Sequence, residues 1–233
     1  MAKDAATREG SWLHSASLVM KPPKFDRPGS WKTLFESALT LIADLETRLE
    51  KPTWSFGGGT VLMLRLNHRH SKDIDLFVPD PQYLGFVTPR LSDAAENLTS
   101  EYQEGAIFVK LFLAAGEIDF VVGPTLTDSP CDVVAYKGRQ IQVESCAEIV
   151  AKKMHHRGDQ AKARDLFDLC AVAELEPDAI PIARPFMDRH AHAFLTGLHE
   201  RRDLTKADFD KIERISFKRS FDECLAIAER MLR

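Results

Sequence analysis

Apolar residues in the first part of the chain follow the spacing of both helices and strands. Between residues 30 and 49 they recur every three or four positions, which predicts an amphipathic α-helix that is capped by Ser30 and stopped by Pro52. Four shorter elements are predicted after it: a strand at residues 53–56, a helix at 60–67, a strand at 74–78 and a helix at 89–98.

The middle of the chain has strand patterns that are interrupted by turn residues. Residues 106–113 and 117–122 are separated by Ala114-Ala115-Gly116, which indicates a β-hairpin. A second hairpin is predicted between residues 133 and 143, with its turn at Lys137-Gly138. These segments predict antiparallel strand pairs at the centre of the chain.

From residue 145 onward the periodicity is helical. Ser145 and Glu148 have the spacing of a capping box, which predicts a helix that runs to about residue 156. Another helix is predicted at residues 164–175. Three more helices are expected, after Ala183, Thr205 and Lys218.

This change of pattern predicts an α+β fold with three regions. Residues 1–30 contain several prolines and are expected to form an N-terminal arm with little regular structure. Residues 31–144 are predicted to be a small mixed β-sheet core flanked by helices. Residues 145–233 are predicted to be an all-helical C-terminal domain that contributes residues to the site.

Composition excludes several function classes. The 233 residues carry a net charge of −4, so a nucleic acid would have to meet a local basic patch. The four cysteines are widely scattered, which argues against a zinc ribbon or a disulfide scaffold. We see no signal peptide and no membrane-spanning run, and we therefore expect a soluble, cytoplasmic protein with no membrane partner.

Three aspartates in strand patterns suggest a metal site. Asp73 and Asp75 lie two residues apart, so their side chains point to the same face of a strand. Asp119 lies in a later apolar strand, where an unpaired carboxylate is costly. Carboxylate oxygens hold Mg²⁺, and two such ions about 3.5–4 Å apart serve phosphoryl transfer. The alternative is that these aspartates face water at a sheet edge.

A glycine turn precedes the first two aspartates. Gly57-Gly58-Gly59 leads into the predicted helix, whose free N–H groups suit a phosphate, and Thr60 adds a hydroxyl. The sequence matches neither the P-loop nor the GxGxxG pattern. The alternative is an ordinary tight connection between a strand and a helix.

The loop before Asp73 contains a possible phosphate ligand. Arg69 can hold phosphate oxygens with two hydrogen bonds, and Ser71 lies beside it. For His68 and His70 we favour a solvated loop, because no third ligand at helical spacing completes a zinc site.

A basic segment follows on the predicted helices of the C-terminal half. Lys152 and Lys153 lie on one helix, and Arg164, Asp165 and Asp168 lie on the next. Taken alone, such charges indicate a solvated helix face.

Together, the motifs resemble a known family. Their order along about residues 31–175 is similar to that of the AbiEii/AbiGii-type nucleotidyltransferase toxins, which belong to the DNA polymerase β-like nucleotidyltransferase superfamily. The resemblance rests on Gly58-Gly59-Thr60, residues 68–77, Asp119, residues 151–153 and residues 164–168. Two positions depart from the pattern: Asn67 replaces a frequent Gly, and Lys152 replaces a frequent Glu. Which of Lys152 and Lys153 faces the site stays open.

The resemblance implies a role for each matching residue. It implies that the nucleotide is bound by Gly58, Gly59, Thr60, Arg69, Ser71 and Lys153. It implies that the metal is bound by Asp73, Asp75 and Asp119. The catalytic residues would be Asp73, Asp75, Asp119, Lys153 and Asp165, with Asp119 also serving as general base for the acceptor hydroxyl.

The resemblance also implies an activity and partners. The expected enzyme is a metal-dependent nucleotidyltransferase that uses two Mg²⁺ ions, or Mn²⁺, and a nucleoside triphosphate such as ATP. Characterised relatives add nucleotides to tRNA 3′ ends and act as toxins, so we expect an RNA acceptor and a cognate antitoxin. Two alternatives stay open: AMP transfer to a protein, and a non-catalytic nucleotide-binding module.

Overall fold

A computed structural model describes residues 21–233, and they form a mixed sheet with helices on both faces. The helices are α1 (Trp31–Arg48), α2 (Gly58–Leu66), α3 (Asp93–Leu98), α4 (Cys146–Arg157), α5 (Ala163–Leu175), α6 (Ala179–Glu200), α7 (Arg202–Asp210) and α8 (Phe221–Leu232). Short 3₁₀ helices lie at Pro81–Phe86 and Gly158–Gln160. Within this range no helix has the length and apolar character that crossing a membrane requires.

The sheet has seven strands in the order β3-β4-β5-β2-β1-β7-β6. The strands are β1 (Ser55–Gly57), β2 (Ile74–Val78), β3 (Tyr102–Gly105), β4 (Phe108–Leu113), β5 (Gly116–Val122), β6 (Cys131–Tyr136) and β7 (Arg139–Glu144). The pairs β2–β5 and β1–β7 are parallel, and the other pairs are antiparallel. With five helices after the last strand, the architecture confirms the predicted α+β fold.

Alternation along β2 and β5 gives the sheet one apolar and one polar face. Ile74, Leu76 and Phe120 are fully buried on the apolar face. Helix α1 covers this face, and its Phe35 ring stacks on Phe56 of β1 with 4.3 Å between centroids. The other face carries the charged residues, and helices from the C-terminal half of the chain pack against it.

Helix α4 packs over the polar face, where the Lys152 ammonium lies 3.9 Å from the centre of the Phe77 ring. Its start is fixed by Ser145, whose hydroxyl accepts from the backbone N–H of Glu148 (3.0 Å). The predicted capping box is wrong in its second half. The Glu148 carboxylate accepts instead from the backbone N–H groups of Leu126 and Thr127, so it anchors a distant loop.

The structure differs from the prediction at the helix α3 and at the strand β3. The helix predicted at 89–98 begins only at Asp93, because the Ser92 side chain caps it there. Strand β3 has no counterpart in the prediction: three of its four residues are exposed, so no apolar alternation marks it. Ser30 precedes α1 as predicted, but its side chain makes no capping hydrogen bond.

The C-terminal half also holds the loop that leads into β2. The backbone N–H of His70 donates to the carbonyl of Glu213 (2.8 Å), and the N–H of Ile215 donates to the carbonyl of His68 (2.9 Å). Ser216 continues the pairing by donating to the Asn67 carbonyl (3.1 Å). A segment near the end of the chain therefore fixes the loop that contains Arg69.

The predicted N-terminal arm is described only from residue 21. Residues 21–30 contain no helix or strand, and the N–H of Lys24 donates to the carbonyl of Leu64 (3.0 Å). The Phe25 ring lies 4.9 Å from the Tyr136 ring. Residues 1–20 of the arm lie outside the described range. The predicted division at residue 144 coincides with the last residue of β7 and stays a prediction.

Candidate active site

A row of side chains crosses the polar face of the sheet at the level of Asp75. In the parallel β2–β5 pair, Asp75 and Asp119 are direct neighbours. Lys110 of β4 is opposite Asp119, and Gly57 of β1 is opposite Asp75. Because paired residues share one face of a sheet, the register brings the two predicted carboxylates together. Asp73 lies just before the strand.

The glycine turn makes room for the Asp75 carboxylate. Gly58 has φ +71°, and a Cβ atom there would overlap Asp75 Oδ2. A Cβ at Gly59 would lie 2.7 Å from the Arg69 guanidinium. Glycine is thus needed at position 58 both for the backbone angle and for the close approach of a carboxylate.

The Thr60 hydroxyl holds the loop together. It donates to the carbonyl oxygen of Asp73 (2.6 Å) and lies 3.0 Å from the Ser71 hydroxyl. Thr60 is fully buried, so its side chain is not exposed to a ligand in this arrangement. Its predicted contact with a nucleotide stays a prediction, and the structure gives the hydroxyl a positioning role.

Two buried aspartates of α5 organise the cations of the site. The Asp168 carboxylate accepts from Arg69 through Nε (2.6 Å) and Nη2 (2.9 Å), and Lys153 Nζ lies 3.1 Å away. The Asp165 carboxylate accepts from Lys153 Nζ (2.8 Å) and from the Arg157 guanidinium (2.8 and 2.9 Å). Burial alone would raise the pKa of Asp165, but Lys153 and Arg157 lower it to about 2.

Our prediction for His68 is wrong. The imidazole is fully buried, its Nε2 lies 2.8 Å from Asp168 Oδ1, and burial lowers its pKa. The partner is 100 residues away in sequence, which no local pattern signals. His70 is exposed, as predicted. Because Arg69 is also bonded to Asp168, its predicted contact with a triphosphate stays a prediction.

These residues surround a cleft of about 1020 Å³. Its wall includes most of the predicted site residues: Gly59, Arg69, Ser71, Asp73, Asp75, Asp119, Lys153 and Asp165. Gly58 and Thr60 are not among the residues that line it. The cleft also has cations that sequence reasoning did not assign to the site: Lys72, Lys110, Arg157, Lys162, Arg164 and Lys211.

The cleft lies within a segment that matches a known family. A family model described as nucleotidyl transferase AbiEii toxin, of a type IV toxin–antitoxin system, matches residues 40–230. The chain belongs to this family. It is therefore a nucleotidyltransferase of a toxin family, which implies a nucleotide substrate and an antitoxin partner. The match extends beyond residue 175, where the resemblance recognised in the sequence ends, and includes most of the C-terminal helices.

Comparisons with individual proteins are more distant. No curated protein sequence matches the chain. The crystal structure of JHP933 from Helicobacter pylori is 15% identical, with a TM-score of 0.47 over 88% of this chain and 91% of that chain. The solution structure of the antibiotic-resistance factor ANT(2'')-Ia is 15% identical, with a TM-score of 0.48 over 74% of this chain and 98% of that chain.

Within this AbiEii protein, the structure distinguishes the two adjacent lysines of α4. Lys153 lines the cleft and bonds Asp165, whereas Lys152 Nζ lies 2.6 Å from Glu144 Oε1. Consecutive residues project about 100° apart around a helix, so only one of them can face the cleft. Lys153 is the one that does, in the place implied by the family motif.

The carboxylates are suitable ligands for a divalent cation, but they do not form a complete coordination site in this arrangement. Asp119 Oδ1 is buried without a hydrogen-bond partner, and burial raises the pKa of Asp119 to about 6. Burial also raises the pKa of Asp75. Asp73 Oδ1 accepts from the N–H of Glu117 (3.1 Å), and no ready group of three His, Cys, Asp or Glu ligands occurs among residues 21–233. The three-aspartate metal site stays a prediction, with Asp75 and Asp119 as its best-supported pair.

Proposed function

We propose that this AbiEii protein transfers a nucleoside monophosphate from a nucleoside triphosphate to the 3′ hydroxyl of an RNA, with a tRNA 3′ end as the acceptor. The observation that supports it most strongly is the pairing of Asp75 with Asp119 on the floor of a cleft that Lys153 lines. Two carboxylates opposite fixed cations suit a reaction that moves a charged phosphoryl group.

The triphosphate lies between α2 and α4 in this proposal. Gly59, in the first turn of α2, lines the cleft without a side chain. N–H groups in the first turn of a helix lack intrahelical partners and attract anions. On the other side, Lys153 is held in the cleft by Asp165 and Asp168, so its ammonium is positioned before the phosphates arrive.

Asp73, Asp75 and Asp119 are the residues that would hold Mg²⁺ or Mn²⁺. A bound divalent cation neutralises phosphate oxygens and favours the attacking oxygen in its deprotonated form. Asp119 Oδ1 is the atom we assign to receive the proton of the acceptor hydroxyl. This oxygen is buried and has no hydrogen-bond partner among the described residues, so it is available to accept a proton.

The rim of the cleft supports a polyanionic acceptor. Lys72, Lys162 and Arg164 are exposed and line the cleft. Between residues 21 and 233 none of the three has a carboxylate partner. In a chain of net charge −4, such a local group of cations suits the phosphates of an RNA end.

Labelling identifies both the nucleotide and the acceptor. The purified protein is incubated with each α-³²P-labelled triphosphate, Mg²⁺ and either total RNA or cell protein. We expect label at the 3′ end of RNA of tRNA size, none with Asp75→Asn, and normal labelling with Asp93→Asn, which changes an exposed aspartate outside the cleft. Label in a protein band would replace the RNA acceptor by protein nucleotidylation. Triphosphate binding without transfer to either acceptor would indicate a non-catalytic module.

A further inference from the structure

Lys110 occupies the metal-binding side of the cleft. Its ammonium donates to Asp119 Oδ2 (2.9 Å) and to the Glu117 carboxylate. Asp119 therefore already has a cation on one oxygen, and its other oxygen is buried without a partner. A second cation that binds Asp119 must displace Lys110 or share the carboxylate with it.

The sheet register fixes this position. Lys110 is directly opposite Asp119 in the antiparallel β4–β5 pair. Its neighbours Val109 and Leu111 are buried on the apolar face. A slip by one residue would place Lys110 in the core and these side chains in the cleft, so the pairing is strongly specified.

Asp75, the other carboxylate of the row, is left without such a partner. It forms no ion pair with any described residue, and burial raises its pKa despite the nearby charges of Lys153 and Arg157. In this row, Asp119 is thus paired directly with the Lys110 ammonium, whereas Asp75 has no such contact. The protein supplies part of the positive charge that a metal ion would bring.

We propose that Lys110 weakens the binding of a divalent cation to the cleft until a triphosphate arrives with it. An ion alone has to compete with the ammonium for Asp119. An ion that comes with a triphosphate brings additional oxygen ligands, which is how proteins usually hold Mg²⁺. This inference rests on the proposed function, because it assumes that Asp75 and Asp119 receive the ion.

Mn²⁺ binding measured without nucleotide tests the inference. Free Mn²⁺ is followed by electron paramagnetic resonance during titration of wild type, Lys110→Met and Lys110→Arg. We expect Lys110→Met to bind Mn²⁺ on the order of tenfold more tightly, because a charge beside the ligand has been removed. Lys110→Arg keeps the charge and should resemble wild type. A non-hydrolysable triphosphate should reduce the difference between wild type and Lys110→Met.

Two control variants isolate the cause. Lys137→Met removes an exposed lysine from the β6–β7 turn and should leave Mn²⁺ affinity unchanged. Combining Lys110→Met with Asp119→Asn should abolish the gain in affinity, because the carboxylate for which the ammonium and the ion compete is gone. If Lys110→Met does not fold, Lys110→Gln removes the charge while it keeps a hydrogen-bond donor.

The outcomes separate this inference from the proposed function. Equal Mn²⁺ affinity in wild type and Lys110→Met overturns the role of Lys110, and so does a Lys110→Arg protein that binds as tightly as Lys110→Met. Absence of Mn²⁺ binding in every variant, with and without triphosphate, contradicts the metal-dependent function itself. Tighter binding that disappears with Asp119→Asn supports both.

Discussion

Lys152 and Lys153 are adjacent on α4 but bond to different parts of the protein. Lys153 Nζ lies 2.8 Å from Asp165 Oδ1 in the cleft, and Lys152 Nζ lies 2.6 Å from Glu144 Oε1 at the end of β7. Both lysines are buried, so each neutralises a carboxylate that has little access to water. The first contact belongs to the candidate active site, and the second stabilises the junction between sheet and helix.

Methionine at either position should lower stability, but only at position 153 should it affect catalysis. Lys152→Met leaves the buried Glu144 without its cation and should lower the free energy of unfolding by about 3–5 kcal/mol. Lys153→Met removes a cation from the buried Asp165 and Asp168, so it should lower kcat/KM for the triphosphate as well as stability. Urea unfolding and initial rates at a temperature where both variants are folded distinguish them. Normal nucleotide kinetics in Lys153→Met would assign this lysine to structure alone.

Asp75→Asn should abolish transfer without loss of stability. Removing an interaction worth several kcal/mol in the transition state lowers the rate by about a thousandfold or more. Burial raises the pKa of Asp75, so ionisation of this carboxyl is less favourable in the folded chain than in the unfolded chain. A neutral amide of the same size should therefore keep or raise the melting temperature. Asp93→Asn is the matched control, and full activity in folded Asp75→Asn would disprove the mechanism.

Gly58→Ala and Gly138→Ala separate backbone strain from crowding of the site. Both glycines have positive φ angles, +71° and +81°, but only Gly58 has a carboxylate where the Cβ would be. Gly138→Ala should cost about 1–2 kcal/mol for the left-handed backbone. Gly58→Ala should cost more and should also reduce activity, because Asp75 must move. Equal losses of stability with unchanged activity would show that the close approach to Asp75 has no role.

The Asp165 ion pairs predict a pH-dependent loss of stability. The pKa of Asp165 is about 2 in the folded chain and 3.8 in the unfolded chain. The stabilisation that this carboxylate contributes is therefore complete above pH 3.8 and disappears as the pH falls towards 2. At about 1.4 kcal/mol for each pKa unit, the contribution is about 2 kcal/mol. The stability gap between wild type and Asp165→Asn should be largest near pH 5 and should narrow below pH 4. A gap that is constant from pH 5 to pH 2.5 would contradict this assignment.

Local patterns predicted the parts of the site that depend on local structure. Residues 74–78 are mostly apolar and are followed by Pro79-Asp80-Pro81, so β2 was predicted with its observed bounds. The glycine turn and the two aspartates of this region followed from the same short stretch. The fold class followed from the change of periodicity near residue 144.

Contacts that depend on the exact strand register or on a long sequence separation could not be predicted in this way. Lys110 reaches Asp119 only because of the β4–β5 register, and His68 reaches Asp168 across 100 residues. Neither contact leaves a periodic signal in the sequence. The exposed, polar strand β3 was missed because its residues do not alternate, and it is paired only with β4.

The backbone pairing between residues 67–70 and 213–216 has a consequence for synthesis of the protein in the cell. The loop with Arg69 reaches its final place only when the chain has been translated to about residue 216. A contact with such a large sequence separation forms only after its later segment has left the ribosome. Chains that terminate before residue 213 thus lack the segment that fixes the Arg69 loop, and their site is incomplete.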